Sequence, residues 1–443
     1  MSELYRNAVC LAPMVRAGTL PLRLLSLRYG ADLVYGEEII DKRIIATTRV
    51  ENAVLNTVDY VSKNGDSVVF RTCAEEKGKV VFQIGTADPI LALKAAEHVA
   101  QDVASIDINM GCPKHFSIQG GMGVALMKKP DVACDIVKTL SRNLNIPVSA
   151  KIRIFEDSQA TIDFAKALEN AGAVAVGVHG RRADERPVDD AHWDALAPVV
   201  SALSVPILVN GDIFNREDLE KIRTISGASS FLIARGALSN ASIFRKEGML
   251  PYTDVVVDYL KVAAETDNVF QNTKYNLSRM LPSKCDDKSV SAPVTVAQLG
   301  ATKDNKQMFS LWNLQDHLEE YQERFRARAA ELQELAPPQP QQPAHAYDDE
   351  HVLNRQFYCD VCNVQMLSDK DVELHIKGKR HKKKVRAAAS ATLSEQVARN
   401  VAAAEDKEEA SEPERKKQKV KAAEDGNSAS PTEAAASIEP ETR

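Results

Sequence analysis

The sequence is short of several features that would place a chain quickly. No stretch is apolar over the roughly 20 residues a membrane helix needs, so no transmembrane segment is predicted. The opening MSELYRNAVCLAP lacks a basic segment followed by an apolar run, and no secretory signal is expected. Cysteine is sparse: Cys10, Cys73, Cys112, Cys134, Cys285, Cys359 and Cys362, with one close pair. That spacing excludes a disulfide framework and fits free thiols in a reducing compartment, cytoplasmic or nuclear. Positive charge is not in excess. Lys and Arg number 56 against 62 Asp and Glu, a formal net charge of −6. Nucleic-acid contact spread over the whole surface is thereby disfavoured, whereas a local basic patch is not. The glycine fingerprint GxGxxG is missing after the first predicted strand, which counts against a dinucleotide-binding sheet.

What is present is a repeated alternation. Short runs rich in β-branched residues predict strands at Val9–Pro13, Leu33–Gly36, Val80–Ile84, Ser105–Met110, Val148–Ile152, Val174–His179, Pro206–Asn210 and Ser230–Ala234. Helical spacing fills residues 87–101, 129–144, 158–172 and 216–228. Strands apolar on both faces that alternate with helices form a parallel sheet covered on both sides. Eight such units favour closure into a (β/α)8 TIM barrel over residues 1–246, with an open doubly wound sheet as the alternative. Val54–Arg71, with Asn64-Gly65 at its centre, predicts a hairpin inserted as a rim decoration. Helical patterning continues through 247–336 and predicts a small all-helical domain. The run PPQPQQPAH opens a linker at 337–354. A compact Cys/His unit follows at 355–386, then a charged, largely disordered tail at 387–443.

Chemistry in such barrels sits where strands end. Polar or special residues recur there: Ala12, Pro13 and Met14; Gln83; Asn109 and Cys112 in DINMGCPK; Lys151 and Arg153; His179 and Arg181; Asn210, Gly211 and Asp212; Ala234, Arg235 and Gly236. Glycines after strands 7 and 8, with Arg235, describe an anion cradle for a phosphate-bearing guest. Lys151 and His179 would face the planar part of that guest. The competing reading of Lys151 is an ion pair with Glu37 or Glu38. Cys112, followed by Lys114 and the glycine loop QGGMG, reads as a nucleophile, an acid or a packed thiol.

DINMGCPK, PVSAKIR, VHGRRADERP, LVNGDI and IARGAL, with APMVRAGTLPLRLL and DLVYGEEIID, resemble the tRNA-dihydrouridine synthases. GTLP, VVFRTC, MGCPKHFSIQGGMG and NTKYNLSRML point to the eukaryotic dihydrouridine synthase 2 branch. The resemblance covers about residues 4 to 285. It implies an FMN-containing TIM barrel, a helical domain that helps hold tRNA, and NADPH or NADH as reductant. It implies that Pro13, Met14, Val15, Gln83, Lys151, His179, Asn210, Gly211, Asp212, Ala234, Arg235 and Gly236 bind the flavin. Asn109, with Lys114, Arg153 and Arg181, would bind the substrate. A uridine flipped from the tRNA, at position 20 of the D loop, would receive hydride at C6 and a proton at C5 from Cys112.

Cys359, Cys362, His375 and His381 give C-x2-C-x12-H-x5-H, the spacing of a Zn2+ finger with its histidines on a helix and Tyr358 and Leu374 as a small core. FYCDVCNVQMLSDKDVELHIKGKRHKKKV resembles the U1- or matrin-type fingers of RNA-binding proteins. Its basic end, KGKRHKKKVR, suits phosphate contact with tRNA or other structured RNA. Animal members of the synthase 2 branch typically end in a double-stranded-RNA-binding domain, and no such pattern occurs here. ERKKQKVK at 414–421 reads as a nuclear signal or a charged tail. The rival functions are an FMN-barrel oxidoreductase acting on a free pyrimidine, which would need no finger, and a non-catalytic RNA-binding protein. A monomer without membrane contact is expected.

Overall fold

The computed structural model describes residues 2–63, 65, 67–282, 294–335, 355–362, 364–366, 368–379, 381, 382, 384 and 385. The predicted linker and tail, the 414–421 cluster, Cys285 and Asn64 lie outside the described residues. The chain divides into two units, Met1–Pro337 and Pro338–Arg443.

In the first unit the barrel strands are Val9–Leu11, Leu33–Tyr35, Val80–Gly85, Ser105–Asn109, Val148–Arg153, Ala175–His179, Ile207–Asn210 and Ser230–Ile233. Each pairs in parallel with its neighbour, and the first pairs with the last, Val9 opposite Phe231. The second pairs with the third, Val34 opposite Val80, which completes the closed parallel barrel. A two-residue strand, Ile39–Ile40, continues alongside the end of the third, Ile39 opposite Ile84. The intervening Gly36-Glu37-Glu38 is thereby carried to the C-terminal mouth of the barrel.

The helices form because their apolar residues recur on one face and their ends are capped. Asp157 accepts from Gln159 N and Ala160 N at the start of Ser158–Ala171, and Gly172 at φ +109° ends it. Asn215 and Asp218 form a capping box on Arg216–Ser226. The outer faces of the strands and the helices share one large core. A smaller core inside the barrel contains Cys10, Leu33, Tyr35, Val81, Leu208 and Leu232.

The predicted hairpin is one strand short. Thr57–Ser62 and Val68–Cys73 pair antiparallel as expected, and Thr47–Asn52 joins them to make three strands. The extra strand reads TTRVEN and is too polar to show as a strand in sequence. Its Arg49 is fixed by Asp102 at 2.7 Å.

The helices Tyr252–Glu265 and Phe270–Met280 pack on the barrel within the same unit. Tyr29 Oη donates to Asp258 at 2.6 Å, and Arg28 pairs with Glu265 at 2.8 Å. Gln315–Leu335 buries only Leu318, as its polar sequence predicts.

Candidate active site at the barrel mouth

A column of polar side chains runs up the barrel interior to the cysteine loop. Tyr5 Oη donates to Ser105 Oγ at 2.6 Å and reaches Ser149 Oγ at 3.3 Å. Ser149 Oγ donates to Asp107 Oδ1 at 2.7 Å, and Gln83 Nε2 donates to Asp107 Oδ2 at 2.8 Å. Asn109 Nδ2 donates to Gln83 Oε1 at 3.2 Å, while its Oδ1 accepts Gly111 N–H at 3.0 Å and Cys112 N–H at 2.9 Å. Gln83 is therefore buried and bonded at both ends. The Asn109 oxygen holds the backbone of the cysteine turn. Asp107 was not singled out in the sequence. Burial raises its carboxyl to about 6, against the lowering effects of Gln83, Ser149 and Lys151.

Lys151, Arg153 and His179 rise on the next two strands. Lys151 forms no ion pair with Glu37 or Glu38 among the described residues, so that competing reading is corrected. Desolvation, then the charge of Arg153, pull its ammonium down to about 8. Arg153 Nε donates to Gly111 O at 2.8 Å and its Nη1 to Arg182 O at 2.8 Å, which ties the cysteine turn to the strand 6 loop. Burial and four surrounding cations hold His179 neutral, far below its ordinary range. Its Nε2 lies 3.3 Å from Arg181 Nη1. An arginine can only donate, so Nε2 accepts and the ring proton sits on Nδ1.

Strands 7 and 8 open a cavity of about 170 Å³ lined by His179, Arg181, Asn210, Gly211, Asp212 and Arg235, among others. Asp212, at φ +52°, accepts from Arg181 Nη2 at 2.5 Å, from Ala191 N at 2.8 Å and from Arg235. A carboxylate so placed repels phosphate, and its part is to aim two arginines. Arg181 is buried and also donates to Asp189 O at 2.7 Å. Its Nε, Nη1 and Nη2 each meet a partner inside the protein, and the same side chain lines the cavity. Arg235 is exposed at the mouth. Glycine is required here: a Cβ on Gly236 would lie 2.2 Å from Ile213 O, and one on Gly211 2.7 Å from Ala191 Cβ. Close backbone, amides and paired arginines together suit a phosphate.

Pro13, Met14 and Val15 form the loop after strand 1. Arg16, at φ +70°, is gripped on both sides: its N–H by Glu37 Oε2 at 2.9 Å, its carbonyl by Asn272 Nδ2 at 2.6 Å. Ala234 caps the short Arg235–Ser239 helix. Lys114 is exposed just before the short helix His115–Gln119, whose Phe116 and Ile118 are also exposed ahead of the glycine loop. An adjoining groove of about 940 Å³ is lined by Val15, Arg16, Arg43, Val68, Gln271 and Tyr275, among others.

Residues 10–290 match the family model described as dihydrouridine synthase. The chain belongs to the dihydrouridine synthase family. Among curated members, the tRNA-dihydrouridine(20) synthase of Schizosaccharomyces pombe is 42% identical over 287 residues, covering 62% of this chain and 60% of that protein. The tRNA-dihydrouridine(20) synthase of Saccharomyces cerevisiae is 40% identical over 302 residues, covering 63% of this chain and 78% of that protein. A human tRNA-dihydrouridine(20a/20b) synthase-like protein is 30% identical over 278 residues, covering 62% and 81%. Residues 356–382 match a model described as a zinc-finger double-stranded RNA-binding module.

In that second unit the ligand atoms of Cys359, Cys362, His375 and His381 lie within 4.8 Å of one another. The sulfurs of Cys359 and Cys362 are 3.4 and 3.5 Å from His381 Nδ1, which is 3.2 Å from His375 Nε2. A tetrahedron with Zn–S about 2.3 Å and Zn–N about 2.0–2.1 Å has edges near those lengths. Two expectations need correcting. The two histidines do not share one continuous helix: Asp369–Lys377 carries His375, Gly378 interrupts it, and His381 lies in the helical stretch that follows. Leu374 is 63% exposed and lies outside the core, which is built on Cys362 and Met366.

Proposed function

We propose that this chain reduces the C5=C6 bond of a uridine in tRNA to dihydrouridine, using NADPH or NADH through FMN. The observation that carries the reading is the placement of Cys112 on one side of a cationic mouth whose other side is a glycine-walled anion cavity. The cavity between strands 7 and 8 would take the FMN phosphate, with Arg235 supplying charge. Lys151 and His179 Nδ1–H would meet the ring. FMN, when bound, supplies the hydride.

The remaining work belongs to the chain. Cys112 holds a proton on Sγ. Burial, then the neighbouring Glu38 carboxylate, raise the thiol above its usual value, so it is protonated at neutral pH and able to donate. Arg153 and Asn109 fix the turn that aims it. The uridine must leave its stack to reach this depth. The groove beside Arg16, Arg43 and Tyr275 offers cations for the backbone and a ring for stacking. Position 20 is favoured because both yeast relatives carry that number in their names. The test is mass spectrometry of tRNA nucleosides after incubation with and without NADPH. Dihydrouridine should appear only with reductant, and its absence overturns the reading.

The lysine yields a pH prediction. Lys151 is cationic below about 8 and loses its charge as pH rises through that value. NADPH-driven bleaching of the flavin, followed at 450 nm in stopped flow, should slow on that limb. A Lys151→Met variant should be slow throughout and flat with pH.

For the second unit, the finger fits zinc by its donor set and adds RNA affinity. Lys377, Lys379, Lys382 and Lys384 are exposed on and after its helix. Deleting residues from 346 onward should weaken tRNA binding by roughly tenfold at 150 mM salt and flatten the salt slope by about 2. Fluorescence anisotropy across a salt series measures both, and unchanged affinity would remove the finger from tRNA binding.

A further inference from the structure

Cys112 has a neighbour that neither the cofactor nor the substrate reading uses. Glu38 stands in the gap between the second strand and its Ile39–Ile40 extension, and its carboxyl faces the Cys112 thiol. Ser117, fully buried, faces the same sulfur. Two glycines make room for this cluster. A Cβ on Gly85 would lie 2.6 Å from Glu38 Oε1; one on Gly123, at φ +59°, would lie 2.6 Å from Ser117 Oγ and 2.4 Å from Cys112 O. Glu38 Oε1 and Ser117 Oγ are both buried, and the polar group that faces them is the Cys112 thiol, a weak donor. A carboxylate oxygen out of water with no donor stronger than a thiol is costly, and a proton on that carboxyl relieves the cost. Burial accordingly pushes the Glu38 carboxyl above the usual range. The other charged groups facing the thiol are Lys151 and Arg153, from strand 5. Neither suits the task of returning a proton: Arg153 does not release one, and Lys151 is assigned to the ring.

We propose that Glu38 is the proton store that reloads Cys112 between turnovers. This rests on the reading of Cys112 as the acid. When the S–H bond breaks and the proton goes to substrate carbon, the sulfur keeps the electron pair as thiolate. The Glu38 O–H bond then breaks and an S–H bond forms. The carboxylate left behind takes a proton from solvent, and no oxidant or reductant is needed beyond those of the reduction itself. Glu38 is thus a positioning and relay residue that acts through the thiol, and Gly85 keeps its path open.

The test uses the full-length flavin-loaded protein and its Glu38→Gln and Glu38→Asp variants. Flavin content and NADPH-driven bleaching serve as fold controls. Pre-reduced enzyme in excess over tRNA gives the single-turnover rate, which draws on the proton already on the thiol. In Glu38→Gln this rate should stay within about twofold of wild type while the steady-state rate falls by about tenfold or more. Glu38→Asp, which keeps a carboxyl, should recover part of the steady-state rate. Iodoacetamide labelling of Cys112 against pH supplies a second readout. Above the pH at which Glu38 itself ionises, its charge holds the thiol up, so the midpoint should move down in Glu38→Gln. A steady-state rate equal to wild type, single-turnover and steady-state rates that fall together, or an unmoved labelling midpoint each overturns the relay. Should a Cys112→Ala protein still make dihydrouridine, the acid reading itself fails. Should Cys112 be essential and the Glu38 results negative, only the relay fails.

Discussion

A Cys112→Ala protein should bind flavin, bleach it with NADPH as fast as wild type, and fail to convert uridine. The separation follows from where the thiol sits. It lies on the strand 4 turn, held by Asn109 Oδ1 at Gly111 and Cys112 and by Arg153 at the Gly111 carbonyl. None of those contacts involves the sulfur, so truncation leaves the turn and the anion cavity in place. A positioned acid contributes about 10²- to 10⁴-fold, and the loss should fall in that range. Cys112→Ser should fall with it, because an alcohol is a far weaker acid than a thiol. The measurement pairs stopped-flow flavin absorbance with nucleoside mass spectrometry on one preparation. If both variants lose flavin reduction as well, the cysteine is structural. If they keep product formation, the proton comes from elsewhere.

The part of this site readable in the sequence was the part built from strand ends. Strands such as Val148–Arg153 and Ile207–Asn210 are short β-branched runs between helices, and the polar residue that ends each is conspicuous against them. What stayed hidden is what depends on contacts between distant segments. Tyr5 precedes the first strand and looks like a tail residue, yet its hydroxyl closes the floor of the column against Ser105 and Ser149. Asp107 stands inside an apolar strand, a signal that was available: a carboxylate there must be bonded or protonated. In the sequence Glu37 and Glu38 entered only as alternative ion-pair partners for Lys151. Only the gap between Leu33–Tyr35 and Ile39–Ile40 shows that they stand at the mouth, one against the Arg16 amide and the other against the thiol. Asn272 is the same case from the helical side, because its grip on the Arg16 carbonyl joins the helical segment to the loop that carries Met14 and Val15. Leu374 shows the reverse error. It was expected in the finger's small core, but a module this small has little interior to offer.

That small interior sets the second large effect. Among the described residues of the finger, Cys362 and Met366 are the buried ones, and one of them belongs to the ligand set. Its two-stranded ribbon pairs Tyr358 with Gln365 and Cys359 with Val364, and the helix Asp369–Lys377 follows, capped by Ser368. A core of that size cannot offset the chain entropy of ordering the module. Structural zinc in such modules is worth about 10–16 kcal/mol near neutral pH, more than the module could supply by packing. Chelation, or His375→Ala, should therefore unfold residues 355–385 outright rather than loosen them. The flavin content and melting temperature of the barrel should not change, because its core holds none of these ligands. Amide NMR dispersion or limited proteolysis reports the finger, and flavin fluorescence on heating reports the barrel. One zinc per chain should be released by the chelator and lost in the variant. Retained dispersion without metal would mean that packing holds the finger. A barrel that melted with it would mean that the two units do not fold independently.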